Sequence, residues 1–383
     1  MSKVFEFDHA VVGAGIVGSW TALQLVRLGK KVILLEQFPD LHTRGSSHGH
    51  SRIIRSSYDD ACFARLMPDA LHMWSEAEVE TGVHMMKTTG LLCLANSDFG
   101  VDLVEKSVEN MKKYCPVGLD TDVDRISGIM EGVVKYDNLR AAMLDTTGGV
   151  LFAHKCVKTI QTLFKERGGE LWDMSPVSCL DPDDEGVYVH LDADRVVHAQ
   201  SVVVCAGAWT KKLLQPFVTL PAQAQVVRVY YFKEKKLGAY SAENGFPTLL
   251  EVGKTDIYAL PSLEYPGLVK VCLHGGVPCD PDARDQTPQK PEFDALIRSY
   301  VAEHFPLLET EPAIVETCMY TTTPDEKFIV DFVPQHKNIV IGTGFSGTGF
   351  KTAPVIGRLL SQLATGSEPF LDISAFRLSR FEK

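Results

Sequence analysis

Apolar positions along this chain fall into short uninterrupted runs separated by stretches of helical period. Residues 10–12 (Ala-Val-Val) and 32–35 (Val-Ile-Leu-Leu) have no polar face, as expected of strands covered on both sides. Between them, 19–28 carries apolar residues at helical spacing and closes at Gly29. The same period predicts helices over 62–86, 99–114, 151–167 and 352–364, with Pro68 best placed in a first turn. Residues 88–94 (TTGLLCL), 186–191, 195–198 and 338–342 (NIVIG) read as strands. Residues 201–209 (SVVVCAGAW) form a second buried strand-turn-helix running into 210–214. From 221 the texture changes. Residues 225–232 alternate partly like a one-sided strand, and 256–261 and 267–274 add more. Residues 115–149 and 279–312 are rich in turn formers, and no internal repeat is present.

The first three elements enclose Gly13, Gly15 and Gly18 in the G-x-G-x-x-G spacing, and the second strand ends on Glu36. Gly13 permits the tight turn. Gly15 lets the backbone approach a pyrophosphate, and Gly18 lets helix pack on strand. The pyrophosphate would sit at the positive end of the helix. An acid at 36 accepts from a ribose 2′-OH, so FAD or NAD is expected rather than NADP. The spacing alone does not separate FAD from NAD. The fold expected is α/β: a Rossmann-like nucleotide domain and a second α+β domain with a mostly antiparallel sheet. Residues 1–88, 150–220 and 325–383 are assigned to the first. Residues 89–149 and 221–324 are assigned to the second, which covers the cofactor.

The 383 residues exceed one ordinary core, which agrees with two domains. A net charge of −11 argues against nucleic acid or an anionic membrane as partner. No apolar run approaches a membrane span, and no signal-like core precedes the first strand, so a soluble intracellular protein is expected. Nine cysteines occur without a C-x-x-C pair, so no metal site is implied and free thiols are expected.

Other stretches carry candidate chemistry. The loop 44–50 is small and polar, and Ser47 and His48 within it are placed to lie against a cofactor. Arg52 and Arg55 flank two isoleucines. They are either solvated arginines on a surface strand or an anion site. Ala206-Gly207 ends a strand that resembles the one which, in FAD enzymes with two dinucleotide folds, closes in A-G next to the first glycine loop. Gly344, Gly347 and Gly349 lie in GTGFSGTGFK, read either as a second phosphate loop or as close backbone approach to a flat ring.

Taken together, RGSSHGHSRIIR at 44–55, EYPGLVKVCLHGG at 264–276, ETCMYTTTPDEKFIVD at 316–331 and GFSGTGFK at 344–351 mark a resemblance. The chain resembles the flavin-dependent amine oxidases of the monomeric sarcosine oxidase and L-pipecolate oxidase family, over nearly its whole length. The resemblance implies FAD bound covalently, as an 8α-S-cysteinyl thioether at Cys318. It implies oxidation of a small secondary amino acid to an imine, with O₂ reduced to H₂O₂, by a monomer. Arg55 and Lys351 match the carboxylate pair, and Tyr258 and Tyr320 match pocket tyrosines. Arg52 and His48 match residues near the flavin ring. Lys270 matches the lysine that assists O₂ reduction by its charge. Its alternative is an exposed strand lysine. His274 matches a cavity histidine or is a satisfied core histidine.

Two departures stand out. Thr348 replaces the histidine usual in this glycine loop, which puts substrate preference and pH profile in question. The animal relatives imply a peroxisomal address, but the chain ends Phe-Glu-Lys instead of an S-K-L-type tripeptide, with a cytoplasmic location as the alternative. Bulkier N-alkyl amino acids, a dehydrogenase passing electrons to a carrier and a non-catalytic flavin-binding protein are the competing readings.

Overall fold

The computed structural model describes residues 3–192, 195–253 and 256–382; the terminal Lys383 of the Phe-Glu-Lys ending lies outside them. The first apolar run extends into a ten-residue strand, Lys3–Val12, at the heart of the first sheet. It runs parallel to Val32–Leu35 on one side and to Arg195–Val204 on the other. Glu170–Trp172 extends the sheet beyond Val32–Leu35. Val187–His190 and Cys179–Pro182 extend it antiparallel on the far side. The chain returns at its end, where His336–Thr343 pairs parallel with Arg195–Val204 and Ile329–Val333 pairs antiparallel with it.

Helix Ile16–Arg27 packs between this sheet and helix Gly349–Ala364 and is buried on nearly every side. That double burial explains its lack of a polar stripe. The two helices meet closely at Gly357, where a Cβ would come 2.7 Å from the Trp20 Cβ and 2.8 Å from the Thr21 amide nitrogen.

The second sheet is antiparallel apart from one pair. Leu308–Thr322 lines one edge of the long strand Gln223–Glu234. Leu268–Leu273 and Val277–Pro278 share the other edge. The order continues through Ile257–Leu260, Thr248–Glu251, Leu91–Ala95, Ala141–Asp145 and Leu119–Asp120. Among the described residues of this sheet, only Thr248–Glu251 and Leu91–Ala95 run parallel. A small third sheet joins Ser51–Ile54, Gly149–Phe152 and Met86–Thr88. The expected architecture of a Rossmann-like sheet with a mostly antiparallel second sheet is therefore present.

Several local readings change. The expected strand 88–94 is two strands, Met86–Thr88 and Leu91–Ala95, in different sheets. The break is at Gly90 (φ 75°), where the Thr89 and Gly90 amides both donate to the Gly148 carbonyl. Residues 62–86 hold two helices, Ala61–Ala64 and Met67–Thr81, with Pro68 in the first turn of the second. The helix expected from 151 starts at Ala153, because Leu151 belongs to Gly149–Phe152. The two strands expected at 195–198 and 201–204 are one, Arg195–Val204. The turn-rich stretches also contain regular elements: helix Val123–Met130, strand Ala141–Asp145 and helix Pro291–His304. The C-terminal helix begins at Gly349, which brings Lys351 into its first turn.

Candidate active site

A cavity of about 810 Å³ runs between the two large sheets, from the first glycine loop to the start of helix Gly349–Ala364. At one end Gly13 has φ 102°, a conformation open to glycine, and a Cβ there would come 2.5 Å from the Cys205 carbonyl oxygen. Gly15 occupies the N-cap of Ile16–Arg27 and brings no side chain of its own to that helix end. Ser47 Oγ accepts from the Ile16 amide at 3.0 Å. Gly18 does not line the cavity. A Cβ on it would sit 1.9 Å from the Gly13 carbonyl oxygen, so it serves close packing of helix on strand. Glu36 lines this end, and its carboxylate accepts from the Ala14 and Phe38 amides at 3.0 and 3.1 Å. Gly207 (φ 53°) borders the same end.

Gly344 does not itself line the cavity, and a Cβ on it would meet Thr323 Cγ2 at 2.5 Å. Its φ of 68° marks it as a turn glycine behind the wall. Gly347 and Gly349 do line the cavity. A Cβ on Gly347 would strike the His274 ring at 2.8 Å.

Midway, Arg52 ties the polar loop to the second sheet. Its guanidinium donates to the carbonyls of Ser46, His48 and Ser51 at 2.9, 2.6 and 2.6 Å and lies 3.6 Å from Cys318 Sγ. That geometry removes the reading of a solvated surface arginine. Burial works against its charge, yet its surroundings raise the guanidinium above its ordinary value. Burial, reinforced by Arg52, lowers His48 to about 4, so its ring is neutral at pH 7. Cys318 and Tyr320, two residues apart on Leu308–Thr322, both face the cavity. Tyr258 and Tyr320 both line the cavity, and burial pushes both hydroxyls up, Tyr320 to about 12.

At the far end, positive charges converge. Lys351 Nζ contacts the Gly347 carbonyl at 3.3 Å and lies 6.0 Å from the centre of the Tyr58 ring. The Arg55 guanidinium stacks over the same ring at 4.2 Å. Burial, then the like charges of Arg55 and Arg52, lower Lys351 to about 7. Such a group binds its proton tightly only when an anion joins it. Thr348 and Arg55 flank the Tyr58 hydroxyl, which has no hydrogen-bond partner among the described residues. His274 is half-buried on the wall, 3.9 Å from Glu326 and beside the Tyr320 ring, so it is not a core histidine.

Lys270 is 5% exposed, which excludes an exposed strand lysine. Its Nζ lies 2.9 Å from Glu264 Oε1 and 3.0 Å from Ser51 Oγ.

Sequence reasoning passed over four residues here. Tyr58 follows Arg55 by three residues. Glu264 lies within the EYPGLVKV stretch. Ser51 sits beside Arg52. Asp145, wholly buried, accepts from the Ser56 and Ser57 amides at 2.6 and 2.9 Å and so fixes the turn after Arg55. Only Glu264 had a signal, an acid between the strands expected at 256–261 and 267–274 and within the stretch that carries Lys270.

These features suit a flavin dinucleotide. A helix N-terminus meets a glycine cradle, and the cavity passes a thiol before reaching a cationic pocket. The family described as FAD dependent oxidoreductase matches residues 8–363. This chain belongs to that family. Human peroxisomal sarcosine oxidase is 38% identical over 98% of this chain and 96% of that protein. Monomeric sarcosine oxidase of Arthrobacter sp. (strain TE1826) is 33% identical over 99% of this chain and 98% of that protein. Among solved structures, the amino acid oxidase NikD superposes with a TM-score of 0.82 at 20% identity, covering 97% of each chain. The L-proline dehydrogenase of P. horikoshii gives 0.82 at 20% identity, covering 99% of each. These two share the fold. Within the FAD-dependent oxidoreductases the chain is a flavin-dependent amine oxidase, and FAD is its cofactor.

Proposed function

We propose that this enzyme oxidises a small secondary amino acid, L-pipecolate or sarcosine, to its imine and passes the two electrons to O₂, giving H₂O₂. The observation that carries the reading is the convergence of Arg55 and Lys351 on one end of the cavity, against a net charge of −11. Two cations that form no ion pair with an acid among the described residues suit a carboxylate, and arginine adds a planar fork. Gly13, Gly15, Glu36, Ser47, His48 and Gly207 would hold the cofactor, with Gly347 and Gly349 bordering it. FAD supplies the acceptor for a hydride equivalent from the carbon next to nitrogen.

The chain's own groups do the rest. Arg55 and Lys351 fix the carboxylate. Tyr258, Tyr320 and His274 shape the wall around the amine. Lys270 places a positive charge where O₂ would gain electrons. We assign Cys318 as the 8α-S-cysteinyl attachment, with the Arg52 guanidinium facing the sulfur that must become a thiolate. The division into 1–88, 150–220 and 325–383 against 89–149 and 221–324, a monomeric state and a peroxisomal location, as in the human and mouse relatives' names, belong to the same proposal.

One panel tests the reaction: H₂O₂ release with sarcosine, L-pipecolate, L-proline and N-methyltryptophan side by side. Release with the first two supports the reading, and absence of anaerobic flavin bleaching by every secondary amine overturns it. A second reading, bulkier N-alkyl substrates, draws on the apolar wall of Ile53, Leu103, Leu250 and Val252. Preference for N-methyltryptophan would select it. Acid precipitation tests the linkage. The yellow colour should stay with the protein and be released to the supernatant by Cys318→Ala.

A further inference from the structure

Behind the cavity wall lies a buried acid with no role assigned above. Glu264 sits in the turn before Leu268–Leu273, and its side chain is 5% exposed against 6% for Lys270. One carboxylate oxygen meets Lys270 Nζ at 2.9 Å and also accepts from the Ser51 hydroxyl. The other accepts from the Tyr231 hydroxyl at 2.6 Å. Tyr231 faces Lys270 across the strand pair, and its ring lies 5.5 Å from Nζ. Glu316 takes a further contact from Tyr231 at 3.2 Å and one from Tyr265 at 2.6 Å. The carboxylate is thus gripped on both oxygens and cannot swing away from the lysine.

Burial by itself expels charge, and an ammonium loses its proton more readily when no anion faces it. A lysine that works by charge alone therefore needs a fixed counter-ion. We propose that Glu264 is the positioning residue of Lys270: it holds the ammonium at the cavity wall, keeps it protonated and thereby sets how fast the reduced enzyme reacts with O₂. The inference rests on the oxidase reading of Lys270. In that step O₂ takes two electrons from the reduced enzyme and two protons from the reduced enzyme and solvent, and leaves as H₂O₂. Lys270 keeps its proton throughout. The other titratable or charged groups around it are Tyr231 and Glu316 from the two long strands and Cys272 on its own strand. Arg52 comes from Ser51–Ile54, Tyr258 from the neighbouring strand, and Cys318 lies beyond Arg52.

The test is stopped-flow measurement of both half-reactions of the holoenzyme between pH 6 and 10. The proteins are wild type, Glu264→Gln, Glu264→Asp and Lys270→Met. Anaerobic reduction by substrate should stay within about twofold in Glu264→Gln. Its reoxidation should approach wild type at pH 6 and fall roughly tenfold per pH unit once the unpaired ammonium deprotonates. Glu264→Asp keeps the charge at longer reach and should fall at higher pH; it also carries the test if Glu264→Gln does not fold. Lys270→Met should be slow at every pH. A pH-difference absorption spectrum of oxidised Glu264→Gln, recorded without substrate, should show a titration that is absent in wild type and in the double variant with Lys270→Met. Reoxidation of Glu264→Gln that matches wild type throughout, or is equally slow at every pH, overturns the role of Glu264. Wild-type reoxidation in Lys270→Met overturns instead the oxidase reading beneath it.

Discussion

Lys351 is the residue whose environment makes the sharpest demand. Burial and two neighbouring arginines lower its pKa to about 7, so the free site loses a positive charge as pH rises through neutrality. A bound carboxylate restores the proton. Affinity for an unreactive carboxylate such as acetate should therefore weaken as pH rises above about 7, by up to roughly tenfold per unit. Lys351→Met should bind more weakly with a flat profile, and titration calorimetry across pH 6–9 checks both. Asp145 acts one step further back. Asp145→Ala removes the acceptor shared by two backbone amides beside Arg55. Substrate KM should rise about tenfold with kcat within about twofold, at a stability cost of about 1–3 kcal/mol read by denaturant melts. Of the cluster, Arg55, Lys270, Cys318 and Lys351 were legible because each sits in a recognisable motif. Tyr58 and Asp145 were not, since neither their type nor their spacing announces a contact made 89 residues away in sequence, as between Asp145 and Ser56.

Among elements, the βαβ unit was legible almost residue by residue, because its contacts are local. Gly18 shows how tight that unit is. Gly18→Ala should place a methyl against the Gly13 carbonyl and push helix from strand, lowering stability by about 1–3 kcal/mol or more and reducing bound FAD. The ratio of flavin to protein absorbance measures the second effect. Loading equal to wild type would remove the packing role. Other elements were hidden for identifiable reasons. Helix Pro291–His304 opens on a proline, and the prolines around it read as turns, although a first-turn proline leaves every helical hydrogen bond intact. Residues 88–94 read as one strand because alternation and apolarity say nothing about which sheet a strand joins. Gly90 turns the chain between two of them.

At the scale of the molecule, the sheets act as two jaws and the cavity is what they leave between them. Stability of the whole should depend on buried neutral histidines. His9 is 3% exposed, donates from Nδ1 to Ser201 Oγ at 2.7 Å, and is lowered to about 4 by burial and then Lys30. The unfolded chain takes up its proton near 6.5 and the folded one only near 4, so protonation favours unfolding across that window. Stability should fall between pH 6.5 and 4, and His9→Gln should flatten the fall by on the order of 1–3 kcal/mol, measured by denaturant melts of the holoenzyme. A slope unchanged in His9→Gln would assign the acid sensitivity elsewhere.

By itself the sequence determined the two sheet types, the glycine cradle and the identity of the chemical groups, because period, glycine spacing and short motifs are properties of neighbouring residues. Tertiary structure alone decided which of those groups meet. It placed Gly344 behind the cavity wall, gathered Arg55, Lys351 and Tyr58 from two segments about 300 residues apart, and set Glu264 behind Lys270. A side chain's chemistry is written in its type. Its charge state and its reach depend on burial and on partners that only the closed fold brings within a few ångströms.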